Sequence, residues 1–240
     1  MKALDIIKHK TNLTNILIDI YKDSTLAKDL GCKGGTAAML FYKLPRFSID
    51  LDFDLIVHYE AGSPELTLVI EKVTKLLSAK YEIKDQSHKY HTLFWLVSYG
   101  LGLAKIKIEI STRDVSRNRY NSTPLYGVTV KVMDPRDMIA HKLVAVMDRK
   151  NLANRDLFDI HYFLSSHYAS EINYDIVKRQ TGKEAKEFYL QLLGFVNRIK
   201  ADSVLAGLGE LLSPSQKVWA KTKLIEELKG LIQRQIDLLD

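Results

Sequence analysis

The stretch KGGTAAMLFYKLPRFSIDLDFDLIV, residues 33–57, decides how this chain is interpreted. Its second half alternates acidic and apolar residues with the two-residue period of a half-buried strand. Asp50, Asp52 and Asp54 therefore share one face, and the core face carries Ile49, Leu51, Phe53 and Leu55. Aspartate is disfavoured in strands and neighbouring carboxylates repel one another. We expect either water or a divalent cation such as Mg²⁺ to offset this repulsion, and an exposed acidic face or a salt-bridge ladder is the alternative.

The first half of the same stretch places Gly34, Gly35 and Thr36 immediately before a short predicted helix over 37–44. Glycines let backbone amides approach a phosphate closely, and a helix N-terminus favours an anion. Thr36 is expected to cap this helix or to donate to a phosphate oxygen. An ordinary capped turn is the alternative, and the Walker pattern GxxxxGK[ST] is absent.

The periodicity of the remaining chain predicts a mixed α/β part followed by a helical part. The predicted helices of the first part cover 4–29 and 63–79, and the predicted strands cover 48–57, 81–90, 91–100, 104–112 and 126–134. From Pro135 onward the pattern is helical, with helices over 135–149 and 154–164. The predicted fold class is α+β. A mixed sheet flanked by helices fills 1–134, and a helical C-terminal domain over 135–240 packs against it.

Composition narrows the function classes without choosing among them. The chain has 240 residues and a formal net charge of +6, which is compatible with a polyanion such as RNA or a nucleotide. Its single cysteine, Cys32, excludes an intrachain disulfide. Neither a signal-peptide pattern nor a run of roughly 18 apolar residues is present. We therefore expect a cytoplasmic protein with no membrane association.

Two kinds of site are not supported by the sequence. His58, His88 and His91 lack the spacing of a metal site. Ser48 and Thr36 lack the His and Asp partners of a covalent serine mechanism. The aromatic residues Phe94, Trp95 and Tyr99 are interpreted as core or sheet surface rather than as base-stacking platforms.

The stretch over 34–53 resembles the signature of the AbiEii/AbiGii nucleotidyltransferase toxins, a Gly-Gly-Ser/Thr turn followed by Arg-x-Ser-x-Asp-Leu-Asp-Phe. The matching residues are Gly34, Gly35, Thr36, Arg46, Ser48, Asp50, Leu51, Asp52 and Phe53. The resemblance implies a DNA-polymerase-β-like core in which Asp50 and Asp52 hold Mg²⁺ or Mn²⁺. It also implies that the glycine turn holds a nucleoside triphosphate, with Arg46 and Ser48 in the binding set. Asp54 lies outside the pattern, as a bystander or a ligand of water at the edge of the site.

Transferases of this fold take a third acid from a neighbouring strand, and KIKIEIS offers Glu109. If its strand pairs with 49–56, Glu109 can reach the metal. Lys107 would lie beside it and offset the negative charge or contact a phosphate. A solvated face with ordinary cross-strand pairs is the alternative.

Two helical stretches extend the resemblance. DPRDMIAHKLVAVMDR resembles the family helix KLxAxxxR, which implies that Lys142 binds a nucleotide phosphate, while solvation of Lys142 and Arg149 is the alternative. NRDLFDIHYFL resembles the family's Arg-Asp-Leu-x-Asp segment, which gives Asp159 or Asp156 a role in orienting Lys142 or an incoming group. A simple pair between Arg155 and Asp159, at i and i+4, is the alternative.

The function implied by the resemblance is transfer of a nucleoside monophosphate from an NTP to an acceptor hydroxyl. In such relatives the acceptor is RNA, notably the tRNA 3′ end, and a cognate antitoxin accompanies the toxin. Two alternatives stay open: a nucleotide-binding protein without transfer activity, and a small-molecule nucleotidyltransferase.

Overall fold

A computed structural model describes residues 5–115, 117–148 and 153–239. The chain divides into two compact units, Met1–Asp134 and Pro135–Asp240. Among the described residues, no helix combines the length and the hydropathy that a membrane span requires.

The first unit is built on a mixed sheet with helices around it. Its strands are β1 (Leu30–Lys33), β2 (Leu51–Leu55), β3 (Glu82–Lys89), β4 (Thr92–Ser98), β5 (Lys105–Ser111), β6 (Tyr120–Leu125) and β7 (Val128–Met133). Its helices are α1 (Ile6–Lys22), α2 (Ser24–Asp29), α3 (Gly34–Phe41) and α4 (Pro64–Ser78).

The order of the strands across the sheet is β3-β4-β5-β2-β1-β7-β6. β2 runs parallel to β5 and antiparallel to β1, while β1 runs parallel to β7. Because β1, β2 and β5 are adjacent, the end of β1, the acidic strand and the KIKIEIS strand meet in the middle of the sheet. The strand pairing on which the proposed role of Glu109 depends is therefore present.

One face of this sheet is apolar and covered by helix. Leu51 and Phe53 of β2 are fully buried. On β4, the fully buried Trp95 donates its indole N–H to Thr74 Oγ1 of α4 at 3.0 Å. Because side chains alternate along a strand, the opposite face of the same strands carries Asp52 and Glu109.

The structure differs from the sequence-based elements at several points. The helix predicted over 4–29 is two helices, because Asp23 ends α1 and its carboxylate caps α2 through Thr25 N–H and Leu26 N–H. The turn predicted before residue 37 is already helix, since α3 begins at Gly34. β1 and β6 were not predicted; β1 has four residues, and β6 is an edge strand that contains Pro124.

The second unit is helical. Its helices are α5 (Pro135–Asp148), α6 (Asn154–Leu164), α7 (Tyr174–Thr181), α8 (Ala185–Val196), α9 (Pro214–Thr222) and α10 (Leu224–Asp237), with 3₁₀ turns at His167–Glu171, Ala201–Ser203 and Gly209–Leu211. α10 packs on α6 and α8, and α5 packs on α6 and α7. The predicted fold class, a mixed sheet with flanking helices followed by a helical part, is confirmed.

Candidate active site

The junction of β1 and α3 brings backbone against the acidic strand. Gly34 has a φ of +76°, which side-chain-bearing residues rarely adopt. A Cβ at this position would lie 2.3 Å from Asp52 Oδ2. The carboxylate of Asp52 therefore lies directly against the first residue of α3, whose opening N–H groups have no partners within the helix.

The segment before β2 packs against the junction of β1 and α3. A Cβ on Gly35 would lie 2.8 Å from Ser48 Oγ and 2.9 Å from Arg46 Nη2. Both side chains are buried, and Arg46 also donates to the Phe47 carbonyl at 3.0 Å. Glycine at 35 is thus what allows Arg46 and Ser48 to pack against the start of α3.

The hydroxyl of Thr36 contacts the backbone of the acidic strand. Its buried hydroxyl donates to the backbone carbonyl of Asp50. The residue at the N-cap of α3 is Lys33, which makes no side-chain capping bond. The predicted capping role of Thr36 is therefore wrong, and its hydroxyl fixes the backbone that carries Asp50.

The acidic cluster comes from two parallel strands and the residue before one of them. Asp52 of β2 is in register with Lys33 of β1 on one side and Glu109 of β5 on the other. Asp50 immediately precedes β2. Lys107 Nζ lies 3.5 Å from Asp50 Oδ2 and 3.1 Å from Glu109 Oε2, so an ammonium group joins these two carboxylates.

The electrostatics of the cluster are unbalanced around Asp52. Burial raises the pKa of Asp52, and the charges of Asp50 and Glu109 raise it further, while Lys107 and Lys33 offset part of the effect. Burial alone would lower the pKa of Lys107, but Asp50 and Glu109 bring it above its ordinary value. The protein's own cations therefore leave Asp52 in an environment that disfavours its charge.

The donor set suits a hard divalent cation. Asp50, Asp52 and Glu109 offer carboxylate oxygens, the ligands that Mg²⁺ and Mn²⁺ prefer. Within residues 5–115, 117–148 and 153–239, no three His, Cys, Asp or Glu side chains are already gathered as a metal site. Lys107 gives a physical reason, because its ammonium occupies the position between Asp50 and Glu109. The chemistry of these residues therefore fits such an ion. A bound cation would lower the raised pKa of Asp52.

In the second unit, Lys142 of α5 and Asp159 of α6 form a buried ion pair. The side chain of Asp159 is 0% exposed and that of Lys142 is 11% exposed, so Lys142 is not the solvated lysine of the alternative interpretation. Asp156 is also buried. Arg149 lies outside the described residues.

The family model described as the nucleotidyl transferase AbiEii toxin of type IV toxin–antitoxin systems matches residues 16–224. The chain belongs to the AbiEii family. The resemblance seen in the sequence is thus confirmed, and with it the prediction of a nucleotidyltransferase. No curated relative matches the chain at a significant level.

Two solved structures share the fold of this AbiEii protein. JHP933 from Helicobacter pylori is 22% identical with a TM-score of 0.64, covering 99% of this chain and 95% of its own. A Helicobacter pylori protein provisionally described as a nucleotidyltransferase is 21% identical with a TM-score of 0.62, covering 97% of this chain and 95% of its own. At these identities the similarity shows a common fold.

Asp54, the acid outside the AbiEii pattern, is held by the protein itself. It is 1% exposed. Lys33 Nζ lies 2.6 Å from Asp54 Oδ1, and the Tyr120 hydroxyl donates to Asp54 Oδ2 at 2.6 Å. Both carboxylate oxygens are thus engaged by neighbours on β1 and β6, which favours the bystander interpretation over binding of water.

Asp54→Asn is expected to lower stability and to leave the chemistry in place. The change removes the ion pair with Lys33 but keeps a hydrogen-bonding group opposite Tyr120, so we expect a loss of about 1–3 kcal/mol in the free energy of unfolding. Denaturant unfolding measures this loss. Nucleotide transfer per folded molecule should stay within about threefold of the wild type, and abolished transfer at unchanged stability would contradict the assignment.

His9 was not expected at the site and lies before the region matched by the AbiEii model. His9 is fully buried, with Nε2 2.9 Å from the Ile49 carbonyl and Nδ1 2.8 Å from the Tyr99 hydroxyl. Because a carbonyl can only accept, Nε2 donates to Ile49, and Tyr99 donates to Nδ1 of the neutral ring. Burial lowers the pKa of His9, which favours this neutral form.

His9 and Thr36 together fix the backbone around the first metal-ligand candidate. His9 binds the carbonyl of Ile49 and Thr36 binds the carbonyl of Asp50, so two successive peptide groups are held. The sequence did contain a signal, since His9 precedes Leu13, Ile16 and Ile20 at the steps of a buried helical stripe.

The Lys142–Asp159 pair allows structural and functional roles to be separated. Asp159→Ala leaves the Lys142 ammonium buried without this carboxylate, and we expect a loss of about 3–5 kcal/mol in the free energy of unfolding. The double variant Lys142→Met with Asp159→Leu replaces the pair by apolar groups and should recover most of that loss. Denaturant midpoints measure both.

Nucleotide transfer by the double variant then tests whether the positive charge of Lys142 is needed for the reaction. If Lys142 binds a nucleotide phosphate, the stable double variant stays impaired in transfer, with a raised KM for the NTP. Full transfer activity in the double variant would show that the pair serves stability alone.

Proposed function

We propose that the protein transfers a nucleoside monophosphate from an NTP to a hydroxyl of an RNA acceptor, with Asp50, Asp52 and Glu109 holding Mg²⁺ or Mn²⁺. The observation that carries the proposal is the contact between Gly34 and Asp52. A Cβ at Gly34 would lie 2.3 Å from Asp52 Oδ2, so the helix start that we propose binds phosphate lies beside a carboxylate. The family membership supplies the class of reaction.

The start of α3 is suited to the triphosphate. Its first N–H groups have no helical partners and lie at the positive end of the helix dipole. Gly34 and Gly35 have no side chains to keep a phosphate away, and Arg46 and Ser48 stand behind Gly35. For Lys142, the family membership supports a separate proposal that it binds a nucleotide phosphate, with Asp159 fixing its ammonium.

The acidic cluster is suited to the reacting phosphorus. A divalent ion, when bound, neutralises the carboxylates and the triphosphate and stabilises charge on the α-phosphoryl oxygens. Lys107 joins Asp50 to Glu109 in the ion-free chain and can move to a phosphate once the ion is present. A bound cation would lower the raised pKa of Asp52 and so favour its charged form.

We propose that the transfer is an in-line displacement at the α-phosphorus. The acceptor oxygen bonds to that phosphorus while the bond to the bridging oxygen of the β-phosphate breaks. Pyrophosphate leaves with the electron pair, and we propose that Glu109 takes the proton of the acceptor hydroxyl. Catalysis is then mainly positioning and electrostatic stabilisation.

The family and the net charge support the acceptor and the partner that we propose. The net charge of +6 is compatible with RNA, and a tRNA 3′ end is the acceptor we propose. The family description as a type IV toxin–antitoxin toxin supports a cognate antitoxin as partner. We propose the cytoplasm as the site of action, where NTP, Mg²⁺ and tRNA are found together.

The test is incubation with each α-³²P-labelled NTP, Mg²⁺ and total RNA, followed by mapping of the labelled species. We expect one or more NTPs to label RNA, and Asp50→Ala to abolish the labelling. NTP binding without transfer to any acceptor would favour the nucleotide-binding alternative. Label that appears only in small molecules supplied as acceptors would favour the small-molecule alternative.

A further inference from the structure

The face of β4 that points away from α4 carries apolar side chains beside the acidic cluster. Trp95 points to α4, where its indole N–H reaches Thr74. Its neighbours Phe94 and Leu96 therefore point to the opposite face, the one that carries Glu109. Both are half-buried, so part of each side chain is in contact with solvent.

The strand register places these two residues next to the proposed machinery. Phe94 lies directly opposite Glu109, and Leu96 lies directly opposite Lys107. Directly opposed residues of an antiparallel pair have their Cβ atoms about 4.5–5.5 Å apart. An aromatic ring thus borders the carboxylate that we propose takes the acceptor proton.

The order of strands gives the direction from which the acceptor enters. In the sheet, Asp52 lies between β1, which leads into Gly34, and β5, which carries Glu109. In an in-line displacement the leaving and attacking groups are on opposite sides of the phosphorus. If pyrophosphate leaves on the Gly34 side, the acceptor hydroxyl enters over β5, and the rest of the acceptor lies over β4.

We propose that Phe94 and Leu96 form an acceptor platform, on which the terminal base of a single-stranded RNA stacks. This inference rests on the nucleotidyl transfer proposed above and revises the interpretation of Phe94 as mere sheet surface. Every base has a π-face, so stacking on an aromatic side chain suits an RNA end of any sequence.

The same face carries lysines as well as acids. Lys105 and Lys107 alternate with buried residues on β5, and Lys89 lies opposite Thr92 at the other end of β4. Asp85, opposite Leu96, is an acid on this face. Asp52 and Glu109 also lie on this face. Where a bound divalent cation offsets these acids, the lysines and the aromatic ring suit a phosphodiester chain with stacked bases, and an aminoglycoside has no aromatic ring to stack.

The platform is tested by binding, so that transfer is not needed for the readout. The probe is a short single-stranded RNA labelled at its 5′ end with fluorescein, and anisotropy gives its Kd in the presence of Mg²⁺. Phe94→Ala and Phe94→Leu remove the ring, Phe94→Tyr keeps it, and circular dichroism confirms the fold of each. Tyr126→Ala is the matched control, because Tyr126 is 80% exposed and lies in the β6–β7 turn at the other side of the sheet.

We expect Phe94→Ala and Phe94→Leu to weaken RNA binding by about fivefold to a hundredfold, the range measured for loss of one stacked base. Phe94→Tyr and Tyr126→Ala should stay within about twofold of the wild type. The Kd for ATP, measured by titration calorimetry, should be unchanged in all variants.

Three results would overturn the platform: no RNA binding by the wild type, an unchanged Kd for RNA in Phe94→Ala, or a weakened Kd for ATP in place of RNA. The last would assign the ring to the base of the NTP. Failure of the proposed function looks different, since RNA binding would still depend on Phe94 while no α-label reached the RNA.

Discussion

Asp52→Asn is expected to abolish nucleotide transfer, by about a thousandfold or more, and at the same time to raise the melting temperature of the ion-free protein. The loss follows from the position of Asp52 between Gly34 and Glu109 in the sheet. A cation at such a centre supplies several kcal/mol of transition-state stabilisation, and about 4 kcal/mol corresponds to a thousandfold in rate.

The gain in stability follows from the raised pKa of Asp52. Burial, together with the charges of Asp50 and Glu109, raises this pKa in the folded chain. A carboxyl group with a higher pKa in the folded than in the unfolded state reduces stability at pH values above its ordinary range. Asparagine carries no charge, so the variant should melt higher at pH 7, and the difference should vanish below the ordinary pKa of aspartate.

Calorimetric melting at pH 7 and at low pH, with and without Mg²⁺, measures this effect. Mg²⁺ should raise the melting temperature of the wild type and leave that of Asp52→Asn unchanged, because a ligand stabilises only the state that binds it. Asp54→Asn is the matched control, an acid two residues away whose replacement should lower the melting temperature. A lower melting temperature for Asp52→Asn together with lost transfer would mean that Asp52 is structural.

Gly34→Ala is the second change with a large expected effect, a loss of transfer of about a hundredfold or more. Two separate causes act at this position. The φ of +76° is strained for alanine, and the new Cβ would lie 2.3 Å from Asp52 Oδ2. The carboxylate must therefore shift, which moves a proposed metal ligand away from the start of α3.

Gly62→Ala separates the two causes. Gly62 has a φ of +78°, almost the same as that of Gly34, but a Cβ there would have no neighbour within 4 Å. Both variants should lose about 1–3 kcal/mol of stability from backbone strain. Transfer should fall in Gly34→Ala alone, as kcat and KM for the NTP show. Equal activity in both variants would exclude the contact with Asp52 as a requirement.

The local patterns of the sequence were sufficient for much of the fold and for its acidic strand. The period-two alternation around Asp52 and the Ser63 cap of α4 are local features, so they can be seen along the chain. β1 was not predicted because four residues carry too little periodicity, and it follows directly after a helix. The edge strand β6 was obscured by Pro124 and by its polar residues.

The interaction partners of the site residues could not be predicted from local sequence patterns, because these partners depend on the register between strands. Asp54 and Asp52 are equivalent in the alternation of the strand, and only the pairing of β2 with β1, together with the approach of Tyr120, shows that both oxygens of Asp54 are engaged within the protein. The sequence predicts that Thr36 caps a helix, because the Asp50 carbonyl that accepts its hydrogen bond is distant in the sequence. The sequence predicts that Phe94 is core or sheet surface, because its position opposite Glu109 is set by the strand register.

One measurement tests the roles assigned to the acidic cluster together: it follows where each phosphate of the NTP goes. The protein is incubated with RNA, Mg²⁺ and an NTP labelled with ³²P at either the α- or the γ-position, and both the RNA and the released phosphates are counted. The account predicts α-label on the RNA, γ-label in pyrophosphate in equal amount, and neither product with Asp52→Asn. Label from the γ-position on the RNA, or α-label transfer that persists in Asp52→Asn, would contradict it.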